Sequence, residues 1–415
     1  MKARFLRGSY QFMAPGGLLL LASAVAVSTG FFQTAGPTFW RNYATVIFGA
    51  GLVLSAVFNR SRLFFALLIV AGSDRALVWL APRLSQAGVH RTIFDAIALL
   101  LPLNLLALSF IRDRGIVSAR GRRRIAILAA QLAAVAMVIF LPAVQVRAEG
   151  VIHQPIVPPQ YVEWSRMSQP ALLVFLLAGL TMLIFLAHNR RPVERGLFWA
   201  LVTAFIALNA GGASHLSSAY FATGGLILGI AVLETSYAMA YHDELTQLPS
   251  RRALNEALLK IGDTYTVAMV DVDHFKNFND TYGHETGDQV LQMIASRMSD
   301  VTGGGKAFRY GGEEFAVIFP NKSLDDAYPS LESLRKSVEN SNFTVRTHDR
   351  RRAKAKNRRK SRAGKKRVVV TVSIGAAAVA GQNVKIDDAV RAADKALYRA
   401  KANGRNCLAA SEAFA

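Results

Sequence analysis

Hydrophobic and polar positions divide this chain near residue 242. Before that point, long apolar runs alternate with short polar connections. A helix needs about 20 apolar residues to cross a bilayer. Runs of that kind fall at roughly 13–33, 42–58, 63–81, 93–111, 125–146, 170–188, 196–214 and 219–240, which predicts an all-α bundle of eight spans. From residue 264 the rhythm changes. Tyr265–Val270, Lys306–Tyr310, Phe315–Phe319 and Val368–Ser373 are short runs with the composition of strands. Helical periodicity marks His284–Met298, Leu324–Glu339 and Ile386–Ala402. The expected division is an integral-membrane region, 1–240, followed by an α/β domain of the α+β kind, 241–415.

Charge sharpens this division. Residues 1–242 hold 20 Lys and Arg and 7 Asp and Glu, whereas 243–415 hold 29 and 21. The net charge of +21 is partly local, because twelve basic residues lie in Arg350–Arg367 and without them it falls to +9. A globally basic nucleic-acid surface is therefore not implied. The run itself reads as a solvated loop or as a contact for anionic lipid, at about 1 kcal/mol per basic residue. It lacks aromatic residues for base stacking, so no nucleic-acid partner is expected. Its removal is expected to spare turnover in detergent. Cys407 is the only cysteine, which excludes an intrachain disulfide and a Cys-rich zinc site. It reads as a buried small apolar residue, and Leu397 and Tyr398 as core.

Orientation follows from the positive-inside rule. With a cytoplasmic N-terminus, fourteen Lys and Arg face the cytoplasm and five the other side. The second part of the chain then lies in the cytoplasm as well. The longest outer loop, 147–169, is too short for a sensor domain, so any stimulus is read by the spans. Asp74, Arg75, Asp95, His215 and Glu234 lie in or near apolar runs, as candidates for polar sites between helices. Asp74 and Asp95 are otherwise expected to pair with Arg75 or Arg91. The last span runs into Asp243 with no flexible linker, so its movement is expected to reach the following domain.

The chemistry sits on two strands. Asp271 ends one strand, and Glu313 occupies the turn of a hairpin after Gly311 and Gly312. Neighbouring strands lie about 4.8 Å apart, so the two carboxylates can share a hard cation. The glycines let a bulky ligand approach the backbone. Lys276 follows closely, as a phosphate contact would. Together these parts point to metal-assisted nucleotidyl transfer.

Their conjunction resembles the GGDEF family of diguanylate cyclases. The matching segments are Asp243–Arg252, Asp271-Val-Asp-His-Phe-Lys276, Asn279-Asp280, Gly283-His284, Gly287-Asp288, Phe308–Phe315, Thr371–Gly375, Ala393–Tyr398 and Lys401 through Gly404-Arg405-Asn406. The resemblance covers about residues 243–410. It implies a nucleotidyl-cyclase fold with a mainly antiparallel sheet. It also implies a homodimer in which two GTP condense to cyclic di-GMP and two pyrophosphates. Asp271, the Val272 carbonyl and Glu313 match magnesium ligands, with Mn²⁺ as a substitute. Glu313, Lys276 and Glu314 form the implied catalytic set, Glu313 as proton acceptor and Lys276 as transition-state stabiliser. Asn279 and Asp288 match guanine readers and His284 a further substrate contact. Phe275, Arg309, Lys401 and Arg405 complete the implied substrate contacts. The implied setting is a bacterial inner membrane, with the product passed to receptors that the sequence does not identify.

Two departures stand out. Thr302-Gly303-Gly304-Gly305 occupies the place of the family's Arg-x-x-Asp inhibition site, and Arg297–Asp300 lies about five residues too far upstream. Ser250 stands where Asn is usual, and Glu313 where Asp is frequent, a substitution expected to preserve activity. The competing reading is a catalytically silent, membrane-tethered receptor or scaffold. A transporter role for the membrane region alone is a third reading.

Overall fold

The computed structural model describes residues 13–29, 37–80, 88–111, 113, 115–189, 191–211, 215–341, 343–345, 366–381 and 386–414. Most of the basic run, 350–365, falls outside these residues. Contacts divide the chain into Met1–Ser236 and Tyr237–Ala415.

The first unit is helical. Its elements are α1 (Gly16–Ser28), α2 (Pro37–Val57), α3 (Ser61–Arg75, prolonged by a π-helical turn, Ala76–Leu80), α4 (Val89–Phe110), α5 (Ala119–Phe140), α6 (Pro142–Ile152), α7 (Gln169–His188), α8 (Pro192–Asn209) and α9 (His215–Tyr241). A helix lies at each expected span. Among the described residues, however, only α4, α5, α7 and Leu216–Tyr241 of α9 are both long and apolar enough to cross a membrane. The eight-span expectation reduces to four candidate spans. The fifth run, although among those four, ends earlier than expected. Leu141 is extended (φ −113°, ψ 98°) and Pro142 opens a new helix, so the apolar stretch does not continue to residue 146 as one rod.

Polar residues in this unit are paired between helices. Asp74 forms an ion pair with Arg75 and accepts a bond from Ser218 Oγ at 2.7 Å. Asp95 instead pairs with His153 at 2.8 Å, and Arg91 reaches the other nitrogen of that ring at 3.2 Å. Glu234 is bonded by Arg195 at 2.8 Å. Arg62 and Glu194, both buried, meet at 3.1 Å.

The second unit is a five-stranded sheet with helices on both faces. Its further elements are α10 (Arg251–Leu259), β1 (Thr264–Val272), α11 (Phe275–Tyr282), α12 (His284–Ser299), β2 (Lys306–Gly311), β3 (Glu314–Pro320), α13 (Leu324–Glu339), β4 (Phe343–Val345), β5 (Lys366–Val368), β6 (Val372–Ala380), α14 (Ile386–Ala402) and β7 (Leu408–Phe414). The order is β2-β3-β1-β6-β7, while β4 and β5 form a separate pair. Three pairings are antiparallel and β6 with β7 is parallel, so the sheet is mixed rather than mainly antiparallel. The strand expected at Val368–Ser373 is displaced to Val372–Ala380.

β1 is central and buried on both faces, as its nearly continuous apolar sequence requires. Ala268, Val270 and Val272 join a core with α12 and α13 residues, and Tyr265, Val267 and Met269 join one with α10 and α14 residues. Alternation along the strand thus fills two cores. α14 lies very close to the sheet: a Cβ on Gly375 would stand 2.0 Å from the Leu397 nitrogen.

Candidate active site

The end of β1 carries Asp271 between Glu314 on β3 and Ser373 on β6. The Val272 N–H donates to the Glu313 carbonyl at 3.3 Å, which ties the hairpin turn to the end of β1. Asp271 is buried, whereas Glu313 and Glu314 are half-buried. Lys401, from the last turn of α14, reaches Asp271 Oδ2 at 2.9 Å.

These acids repel one another. Burial pushes the Asp271 carboxyl up, while Lys401 draws it back. Burial and then the Asp271 charge push Glu313 up. The same two causes act on Glu314. A cation would relieve this repulsion. The donors are hard oxygens: two carboxylates on adjoining elements and the nearby Val272 carbonyl. Among the described residues no group of three or more His, Cys, Asp or Glu is set to hold a metal. Such oxygen donors suit a hard divalent cation that takes few protein ligands.

The turn leaves room for a ligand. Gly312 has φ +46°, which favours glycine, but Gly311 has no such conformation and an added Cβ would meet nothing within 4 Å. Nothing in the chain itself demands glycine at 311. Close ligand approach supplies a reason.

The other expected residues separate into groups. Lys276 lies exposed on α11, His284 and Asp288 exposed on α12, and Arg405 exposed beyond α14. Asn279 is brought against α12. Its Oδ1 is buried without a hydrogen-bond partner, and a Cβ on Gly287 would stand 1.9 Å from it. An unpartnered buried amide oxygen calls for a donor. The neighbouring Asp288 carboxylate is exposed, whereas the Asn279 oxygen has almost no accessible surface in this arrangement.

Some expectations need correction. The Phe275 ring is buried and stacks with Phe278 at 6.5 Å, which leaves the backbone at the start of α11, rather than the ring, for the expected substrate contact. Arg309 is engaged within the protein, donating to Asp243 at 2.5 Å and to the Gly312 carbonyl at 2.7 Å. It braces the turn from the segment before α10. Tyr398 is 76% exposed rather than core. Cys407 is half-buried, its thiol bonded to the Ala400 carbonyl. Arg297 at the end of α12 bonds Ser341 at 3.2 Å.

Sequence reasoning gave no task to Asp273, Arg335 or the Asn406 side chain. Asp273 lies in the turn just past β1, two residues beyond Asp271, and that proximity to the acid-bearing strand end is the one signal the sequence offered.

Residues 240–407 match the family described as diguanylate cyclase, GGDEF domain. The second unit is a GGDEF domain. The response regulator PleD of Caulobacter vibrioides is 38% identical over 184 residues, which are 42% of this chain and 37% of PleD. Diguanylate cyclase VdcA of Vibrio cholerae is 38% identical over 172 residues, 40% of this chain and 46% of VdcA. The chain thus spans less than half the length of these relatives. A solved structure, the coiled coil and GGDEF domain of DgcB from Caulobacter crescentus in complex with c-di-GMP, is 33% identical with a TM-score of 0.37, covering 43% of this chain and 90% of that one.

Proposed function

We propose that this chain is a membrane-anchored diguanylate cyclase that condenses two GTP into cyclic di-GMP and two pyrophosphates. The observation that carries the reading is the GGDEF domain, in which the Glu313 carbonyl is bonded by the N–H of Val272, the residue after Asp271, at one sheet end. The candidate spans support a multi-pass membrane protein. In the eight-span arrangement, the Lys and Arg asymmetry sets the N-terminus and the GGDEF domain in the cytoplasm, as in an inner-membrane protein.

Asp271, the Val272 carbonyl and Glu313 would hold Mg²⁺. Bound there, the ion would offset charge on the phosphoryl oxygens and lower the pKa of a nearby hydroxyl. The chain's own residues do the rest. Asn279 and Asp288 accept hydrogen bonds from guanine. Lys276 lies against the phosphates and balances charge that grows as the bond to the pyrophosphate leaving group breaks. Glu313, half-buried beside the end of β1, takes the proton of the attacking 3′-hydroxyl. One 3′-oxygen bonds to one α-phosphorus in each half-reaction, so two domains must face each other and the active species is a homodimer. The membrane region acts on how those domains meet.

Incubation with 3′-deoxy-GTP tests the chemistry. Binding comparable to that of GTP with no cyclic product is expected. A cyclic product from that analogue contradicts the assignment of the nucleophile.

A further inference from the structure

Two residues beyond Asp271, a second carboxylate is buried without a task in the scheme above. Asp273 is 8% exposed. Among the described residues it has no ion-pair partner. Three neutral donors hold it instead: Thr371 Oγ1 at 2.8 Å, Ser373 Oγ at 2.7 Å and the Asn406 N–H at 3.1 Å. Its own N–H donates to the Thr371 carbonyl at 3.0 Å. A carboxylate this deep is costly, and an apolar residue would serve packing as well.

Asn406 is gripped from the other side too. Arg335 of α13 donates to its Oδ1 at 2.6 Å, and its Nδ2 donates to Glu339 at 2.7 Å. Arg335 is itself fixed by Glu332 at 2.7 Å and Glu339 at 2.9 Å. The segment so held is unusual. Arg405 (φ 65°) and Asn406 (φ 46°) are consecutive left-handed residues that are not glycine. Such backbone persists only when the surroundings determine it. The Arg405 N–H closes this turn on the Ala400 carbonyl at 3.1 Å. Its side chain is exposed, four residues beyond Lys401, which reaches Asp271 Oδ2 at 2.9 Å.

We propose that Asp273 and Asn406 are positioning residues: they clamp the left-handed 405–406 turn between β1 and α13, so that Arg405 faces the Asp271 end of the sheet and meets the triphosphate of the substrate. The proposal rests on the cyclase reading for its substrate, but the clamp exists apart from it. Asp273→Asn and Asn406→Gly test it in the full-length protein. The glycine keeps the left-handed backbone and the amide bonded to Asp273 while deleting the side-chain grip.

Each variant is expected to raise KM for GTP about tenfold while kcat stays within about twofold. In an Arg405→Ala background the same substitutions should add less than about twofold, because their effect passes through that side chain. Full additivity overturns the proposal. Amide hydrogen exchange supplies a readout that needs no turnover. Asp273→Asn should speed exchange at residues 403–407 while β1 and β6 stay protected. Unchanged exchange there, or faster exchange throughout the domain, also overturns it. Absence of product from the wild-type protein would sink the cyclase reading, and the exchange result would still judge the clamp.

Discussion

At the residue scale, the site is a balance of charges. Glu313→Gln removes the proton acceptor and one cation ligand at almost constant shape. Cyclic di-GMP synthesis should fall by at least about a hundredfold with unchanged circular dichroism. Gly287→Ala tests the guanine contact. Its Cβ would meet Asn279 Oδ1 at 1.9 Å, so Asn279 must move. KM for GTP should rise about tenfold with little change in thermal stability, and an unchanged KM would remove Asn279 from the substrate site. Asp243 gives a pH signature. Burial raises its carboxyl, but bonds from Arg309 and Thr246 more than offset this and hold it below the ordinary value. The stability it contributes is present above the unfolded pKa, about 3.9, and is lost as pH falls through the folded value. Asp243→Asn should flatten the acid limb of the melting curve in that window.

At the element scale, packing distance decides what the sheet tolerates. Gly375→Ala would place a Cβ 2.0 Å from the Leu397 nitrogen and 2.3 Å from the Ala393 oxygen. Both are backbone atoms of α14, so the helix must lift. Destabilisation of about 3 kcal/mol in denaturant unfolding is expected. The same elements explain what the sequence revealed. β1 was legible because Tyr265–Val270 is apolar and rich in strand-formers. The acid-bearing turn was legible because two glycines precede Glu313. β7 was not, since Leu408–Phe414 is mostly Ala, Ser and Glu and carries no strand preference. Its parallel pairing is what makes the sheet mixed. Tyr398 was misplaced by one helical step. Ala393, Ala396, Leu397 and Ala400 share the buried face, and the next residue after Leu397 turns about 100° away. The Asp273 clamp was hidden because its partners lie 98, 100 and 133 residues away.

At the scale of the whole molecule, two units carry separate burdens. The helical unit buries the Arg62–Glu194 pair, with Arg62 also bonded to the Leu108 and Ser109 carbonyls. Glu194→Gln would leave a buried guanidinium without its counter-charge. It should destabilise that unit by about 3 kcal/mol in detergent, read as a lower melting temperature. A melting temperature equal to wild type would mean that the pair is not formed. The GGDEF domain has its own cores on both sheet faces, so activity is expected to survive this change wherever the unit remains folded. The central claim joins these scales: carboxylates from two adjoining β-elements assemble a cation site at which paired GTP molecules are linked. The most direct measurement gives purified full-length protein GTP and magnesium and identifies the product by mass. The account predicts cyclic di-GMP with two pyrophosphates per molecule formed, at a rate per chain that rises with protein concentration, and none from Glu313→Gln. A folded, dimeric wild-type protein that binds GTP and makes no cyclic di-GMP would contradict it.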